Sequence, residues 1–156
     1  MILEKRIAKI ISESKLTISV AESCTGGLLS HRLTNISGSS RYFILGIVAY
    51  SNQAKRSLLK ISKQVIEKYG PVSREIAILL AKQISKIAKS DIGIGITGIA
   101  GPTGGSKLKP VGLIFIALHF NKKTTCKKFN FVGNRLEIKK KTADSALKLI
   151  EQCLAK

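Results

Sequence analysis

The side chains best suited to chemistry lie close together in Val20-Ala21-Glu22-Ser23-Cys24-Thr25-Gly26-Gly27. Two hydroxyls and a thiol sit between an apolar run, Leu16 to Val20, and a segment with helical spacing, Leu28 to Leu33. A strand that turns sharply into a helix leaves small polar side chains at the sheet's carboxyl edge. It also aims the helix's free N–H groups at whatever sits there. A hydroxyl nucleophile and an anion site can both be built from such a turn. Cys24 is a rival nucleophile, because a thiolate at a helix N-terminus is activated, although a buried structural cysteine is the commoner use. The same residues also suit an ordinary strand–helix turn, with Ser23 or Thr25 as N-cap and the glycines there for close packing. A second chemical element is the loop Thr97-Gly98-Ile99-Ala100-Gly101-Pro102-Thr103-Gly104-Gly105. Loops of this length are often functional. It is not a Walker A loop, since no Gly-Lys-Ser/Thr closes it.

The elements that must position these residues follow from periodicity. Residues 2–14 read as an amphipathic helix, with Leu3, Ile7, Ile10 and Ile11 on one face. A first strand is expected over about 16–21, then the turn, then a helix to about Thr34. Residues 35–40 form a loop by composition. Tyr42 to Tyr50 is apolar almost throughout and predicts a strand buried on both faces. A short helix starts near Ser51 or Asn52. Ser62 caps another that ends at Gly70-Pro71, and Ser73-Arg74-Glu75 opens a third that runs to about residue 88. Asp91 to Ile96 alternates as a strand, with Gly93 and Gly95 allowing a helix or backbone to approach one face closely. Val111 to Phe120 and Thr124 to Val132 pair as a hairpin through Asn121-Lys122. Gly133-Asn134 caps a last helix. This order predicts one layered α/β domain with a mostly parallel sheet and a hairpin at one side. The polar segments 22–27, 50–55 and 97–105 then fall at strand ends, where an open sheet forms its ligand crevice.

Composition narrows the function classes. A 156-residue chain with 44% hydrophobic residues can bury a substantial core. No apolar run approaches a membrane span. Met1 to Lys15 lacks the apolar core of a signal peptide, so a cytoplasmic location is expected. Cys24, Cys126 and Cys153 show no CxxC spacing, and His31 and His119 are isolated, which argues against a disulfide framework and a zinc site. The net charge of +18 suits a polyanion partner. The lysines are spread along the chain, however, with short clusters at Lys122-Lys123, Lys127-Lys128 and Lys139-Lys140-Lys141. Solvated basic faces with nonspecific polyanion binding at low salt are expected. A dedicated nucleic-acid-binding domain is an alternative.

Taken in order, several motifs resemble one family. They are Ala21-Glu22-Ser23-Cys24-Thr25-Gly26-Gly27, Tyr50-Ser51-Asn52 with Lys55, Val72-Ser73, Thr97-Gly98-Ile99-Ala100-Gly101-Pro102 with Gly104-Gly105, and Lys109-Pro110-Val111-Gly112. Together with Gly133-Asn134-Arg135 they resemble, nearly end to end, the CinA C-terminal domain family, whose stand-alone members act as nicotinamide-nucleotide amidases. The resemblance implies a three-layer α/β/α sandwich with a mixed, mostly parallel five-stranded sheet. It implies hydrolysis of the carboxamide of nicotinamide mononucleotide to nicotinate mononucleotide and ammonia, in pyridine-nucleotide recycling. It implies no metal and no organic cofactor, and family behaviour suggests a homodimer.

The family's proposed catalytic serine, tyrosine and lysine fall on Ser23, Tyr50 and Lys55. Taken alone, Lys55 is equally a solvated lysine at a helix start, and Tyr50 a strand-end aromatic. An amide is a poor electrophile, so an activated nucleophile and oxyanion donors are required. Ser23 would attack, a neutral Lys55 would take its proton, and Tyr50 would relay a proton or deliver it to the leaving ammonia. N–H groups around Cys24, Thr25, Gly26 and Gly27 are candidate oxyanion donors. Thr97, Gly98, Gly104, Gly105 and Arg135 are candidates for the substrate phosphate. Asn52 joins the substrate-binding set, and Glu22 either orients the site or supports the turn. The chain departs from the family pattern at Lys107-Leu108, where acidic residues are usual, and at Asn134, where an aspartate is usual. The second departure questions any charge partnership of Arg135. Longer relatives carry a separate pyrophosphatase-like domain, whose metal-dependent activity is not carried over. A noncatalytic nucleotide-binding, competence- or damage-associated module is the rival reading.

Overall fold

In the computed structural model, which describes residues 2–155, helix α1 (Ile2–Glu13) leads into strand β1 (Ile18–Glu22) and helix α2 (Leu28–Thr34). A single 3-10 turn precedes β2 (Phe43–Val48), followed by α3 (Asn52–Leu59), α4 (Lys63–Tyr69) and α5 (Arg74–Ala88). Strands β3 (Ile92–Gly98), β4 (Leu113–Phe120) and β5 (Lys123–Asn130) precede the last helix, α6 (Arg135–Leu154). The strands form one sheet in the order β2-β1-β3-β4-β5. β1 is parallel to both β2 and β3, while β3–β4 and β4–β5 are antiparallel. Helices cover both faces, so the architecture is a three-layer α/β/α sandwich on a mixed sheet, as expected from the sequence.

Alternation along the strands separates large from small side chains. Ile18 and Val20, Ile92, Ile94 and Ile96, and Ile114, Ile116 and Leu118 point to one face, where they pack with Ile7, Ile11, Leu29, Leu33, Ile138, Leu147 and Ile150 of α1, α2 and α6. The opposite face carries Ala21, Gly93, Gly95 and Ala117, which leave a trench for α5. A Cβ at Gly93 would lie 2.0 Å from the Ala81 carbonyl oxygen, and one at Gly95 would lie 2.3 Å from that of Ala77. The close approach expected at these glycines is therefore made by the backbone of α5.

One expectation fails. β2 is an edge strand whose residues alternate between half-buried and exposed, with Ile44 and Val48 open to solvent. A run of apolar residues reports β propensity but does not separate a central strand from an edge. Ser62 and Ser73 cap α4 and α5 as predicted, and Asn134 caps α6 in a reciprocal capping box with Glu137. Among the described residues, no helix is long and apolar enough to cross a membrane.

Candidate functional site

β1, β2 and β3 end at the same edge of the sheet, and the chain leaves each strand there as a polar turn. The Ser23 N–H still donates to the Ile96 carbonyl, at 3.1 Å, before the backbone breaks away. Gly26 and Gly27 then adopt positive φ, +61° and +97°. The N-cap position of α2 is Gly27, which supplies no side chain. Neither Ser23 nor Thr25 caps this helix. Glu22 does so from a distance: its buried carboxylate accepts from the Leu29 N–H at 2.6 Å, from Thr25 Oγ1 at 3.1 Å and from Ser30 Oγ at 3.2 Å. Charge-assisted bonds to free N–H groups at a helix start are among the stronger ones. Glu22 therefore supports the turn and lies outside the cavity described next. Ser23 Oγ is left out of the capping.

Lys55 reaches that oxygen from the first turns of α3, which Ser51 caps through Ala54 N–H. Its side chain is 2% exposed. The Nζ lies 3.3 Å from Ser23 Oγ, 3.0 Å from the Ala49 carbonyl and 3.2 Å from the Tyr50 carbonyl. Burial pushes the amine's pKa below the ordinary lysine value. Cys24 adds no compensating charge, since burial pushes its thiol up to about 12. A neutral amine has two N–H donors and one lone pair. Two carbonyls and one hydroxyl are what it can satisfy. An ammonium would donate to all three oxygens; with the charge lost, the two N–H groups would serve the carbonyls and the lone pair would face the Ser23 O–H.

Ser23 and Lys55 line a cavity of about 320 Å³. Cys24, Tyr50, Asn52, Thr97, Gly98, Gly104 and Arg135, all candidates from the sequence, share its wall. Tyr50 meets Lys55 through its backbone, and its phenol, expected from the resemblance to relay a proton, is hydrogen-bonded to neither Ser23 nor Lys55. Its carbonyl holds Lys55, while its exposed phenol accepts from Arg135 Nη2 at 2.8 Å. Arg135 Nη1 donates to the Gly101 carbonyl at 2.7 Å, so its guanidinium links β2–α3, the glycine loop and the start of α6. Both partners are neutral. Among the described residues no carboxylate pairs with Arg135, and Asn134 serves as the cap of α6.

The remaining candidates go elsewhere. Thr25, Gly26 and Gly27 line a separate hollow with His31, Leu136 and Lys139. The Gly26 N–H is already donated to the Ser23 carbonyl, at 3.1 Å, and so is not an oxyanion donor. Gly105 packs against Val111, where a Cβ would lie 2.8 Å from its backbone nitrogen. The Thr97 hydroxyl, though beside the cavity, is committed to the Pro71 carbonyl at 2.7 Å. Pro71 and Val72 also line the cavity, with Ile99, Ala100, Gly101 and Thr103 of the glycine loop. In the sequence, Gly70-Pro71 reads only as a helix stop. The signal that could have placed it here is Val72-Ser73, one of the family-like motifs.

Comparison with known proteins places the chain in a family. Residues 1–154 match the model of the CinA C-terminal domain. CinA-like proteins from Koribacter versatilis and Kosmotoga olearia are 49% and 46% identical over 152 residues, covering 97% of this chain. The chain spans 37% of the length of those relatives. The crystal structure of competence/damage inducible protein CihA from Agrobacterium tumefaciens superposes with a TM-score of 0.95 at 35% identity, covering 99% of this chain and 94% of that one. The competence damage-inducible protein A from Klebsiella pneumoniae gives 0.95 at 29% identity, over 98% and 95% of the two chains. A match over 154 residues, the same sandwich in solved relatives and motifs gathered at one sheet edge all agree: the chain belongs to the CinA C-terminal domain family.

Proposed function

We propose that this domain is a serine-type amidohydrolase that converts nicotinamide mononucleotide to nicotinate mononucleotide and ammonia. The observation that carries the reading is the buried Lys55 amine 3.3 Å from Ser23 Oγ at the cavity floor. Lys55 takes the Ser23 proton as Oγ attacks the carboxamide carbon. The resulting ammonium donates to Ala49 O and Tyr50 O and has one proton left for the departing nitrogen. Collapse of the tetrahedral adduct breaks the C–N bond, releases ammonia and leaves a seryl ester. Lys55, neutral again, then takes a proton from water as the water attacks that ester, and returns it to Ser23. The Cys24 N–H, next to the nucleophile, is the candidate oxyanion donor. Arg135, with the Tyr50 phenol at the cavity mouth, is the candidate partner for the phosphate.

Ammonia release from nicotinamide mononucleotide tests the reading. Ser23→Ala and Lys55→Met are each expected to lower kcat by about a thousandfold or more, and Cys24→Ala by less than about tenfold. A wild-type domain that binds the nucleotide without releasing ammonia would favour the noncatalytic module. Loss with Cys24→Ala alone would move the nucleophile to the thiol.

A further inference from the structure

We infer that Lys109 is a positioning residue that holds the Pro71–Val72 wall of the cavity in place before any substrate arrives. The connection between α4 and α5 is short and contains a proline, so few of its backbone groups can pair within it. Four successive carbonyls, from Tyr69 at the end of α4 through Val72, are nevertheless all engaged by side chains. Lys109 Nζ donates to Tyr69 O at 2.9 Å and to Val72 O at 2.7 Å. Ser73 Oγ donates to Gly70 O at 2.9 Å, and Thr97 Oγ1 donates to Pro71 O at 2.7 Å. These donors come from the glycine-loop limb, the cap of α5 and the end of β3.

Lys109 is itself fixed. Its N–H donates to Ser106 Oγ at 3.1 Å, and its carbonyl accepts from the Ser106 N–H at 2.7 Å. It is half-buried, whereas its neighbours Lys107, Leu108 and Pro110 are exposed. Its ammonium sits at the carbonyl end of α4, where a cation is favoured. Gly70 makes room for it: a Cβ there would lie 2.7 Å from Nζ, and φ is +79°. Lys109 thus ties the loop limb after Gly105 to the Pro71–Val72 segment, which lines the cavity opposite Thr103 and Gly104 of the same loop. Two charge-assisted bonds to one short segment fix its conformation in advance, so its entropy is not lost again on binding.

The kinetic part of the test rests on the amidase reading; the exchange part does not. Lys109→Met keeps the aliphatic stem and removes the donors. Amide hydrogen exchange is followed at Gly70, which donates to Ile66 O, and at Ile76, which donates to Ser73 Oγ. Exchange at both is expected to speed up about tenfold, with the β3 amides unchanged. In the same variant KM for nicotinamide mononucleotide is expected to rise about tenfold, with kcat within about threefold. Lys109→Arg, which keeps charge and donors, is expected to recover most of both effects. Unchanged exchange, or equal acceleration in β3, would overturn the proposal, as would a fall in kcat at unchanged KM. Should Lys109→Met fail to fold, Lys109→Gln is measured against the same criteria. If the wild type releases no ammonia, the amidase reading falls, and the exchange result still decides the role of Lys109.

Discussion

A primary amine offers a lone pair only after losing its charge, and the surroundings of Lys55 favour that loss. The folded protein holds the side chain away from water, whereas the unfolded chain titrates it at the ordinary lysine value. Between the lowered folded pKa and the ordinary one, the unfolded state binds a proton that the folded state does not. Stability therefore rises with pH across that window and falls as pH drops through the folded value. In Lys55→Met this component of the slope is expected to vanish, as denaturant midpoints followed upward in pH to the ordinary lysine value will show. On the proposed mechanism, wild-type kcat/KM rises as Lys55 loses its proton. Lys55→Arg, which cannot lose one, is expected to remain at background at every pH. The types of these residues were legible in the sequence; their pairing came from the family resemblance alone. Nothing in the spacing of Ser23 and Lys55 distinguishes a buried dyad from a capping serine and a solvated lysine. Only the fold brings the Lys55 side chain of α3 to the turn after β1.

At the level of elements, the turn after β1 depends on Glu22, whose bonds replace the missing N-cap of α2. Its role was left open by the sequence because an acid before Ser-x-Thr-Gly-Gly suits a site as well as a scaffold. Glu22→Gln keeps the shape but weakens charge-assisted bonds, and is expected to cost about 2 kcal/mol in urea unfolding. The helix–strand seam is more legible. Glycines at alternate positions of an otherwise isoleucine strand leave room for a backbone on one face, and the carbonyls of α5 occupy it. Gly95→Ala is expected to destabilise by about 3 kcal/mol or more, because the clash is with a helix backbone that cannot step aside locally. The edge position of β2 was hidden for a different reason. Its neighbours are set by crossovers that no local pattern encodes.

For the whole molecule, the sheet order places β1 between two parallel partners, so the chain departs from it at a topological switch point. That explains why segments far apart in sequence meet in one cavity, and why the fold class was readable from element order while the wall at Pro71–Val72 was not. The excess of basic charge is not gathered there. Lys122, Lys123, Lys127, Lys128, Lys140 and Lys141 are exposed on β5, its turn and α6. Binding to DNA is expected to be independent of sequence and to weaken about a thousandfold between about 50 and 200 mM salt, as anisotropy with two unrelated duplexes will test. The glycine loop has a separate consequence. It leaves β3 and enters β4 at the same edge, and its base is closed by Ile99 N–H to Leu113 O at 2.9 Å and Gly112 N–H to Ile99 O at 2.7 Å. Its outer arc, where Leu108 is 91% exposed, hangs from a stem that the sheet already secures. A dye attached at Leu108 would therefore report on the loop without loosening the sheet beneath it, whereas trimming the arc would remove the Ser106–Lys109 pair and its hold on the opposite wall.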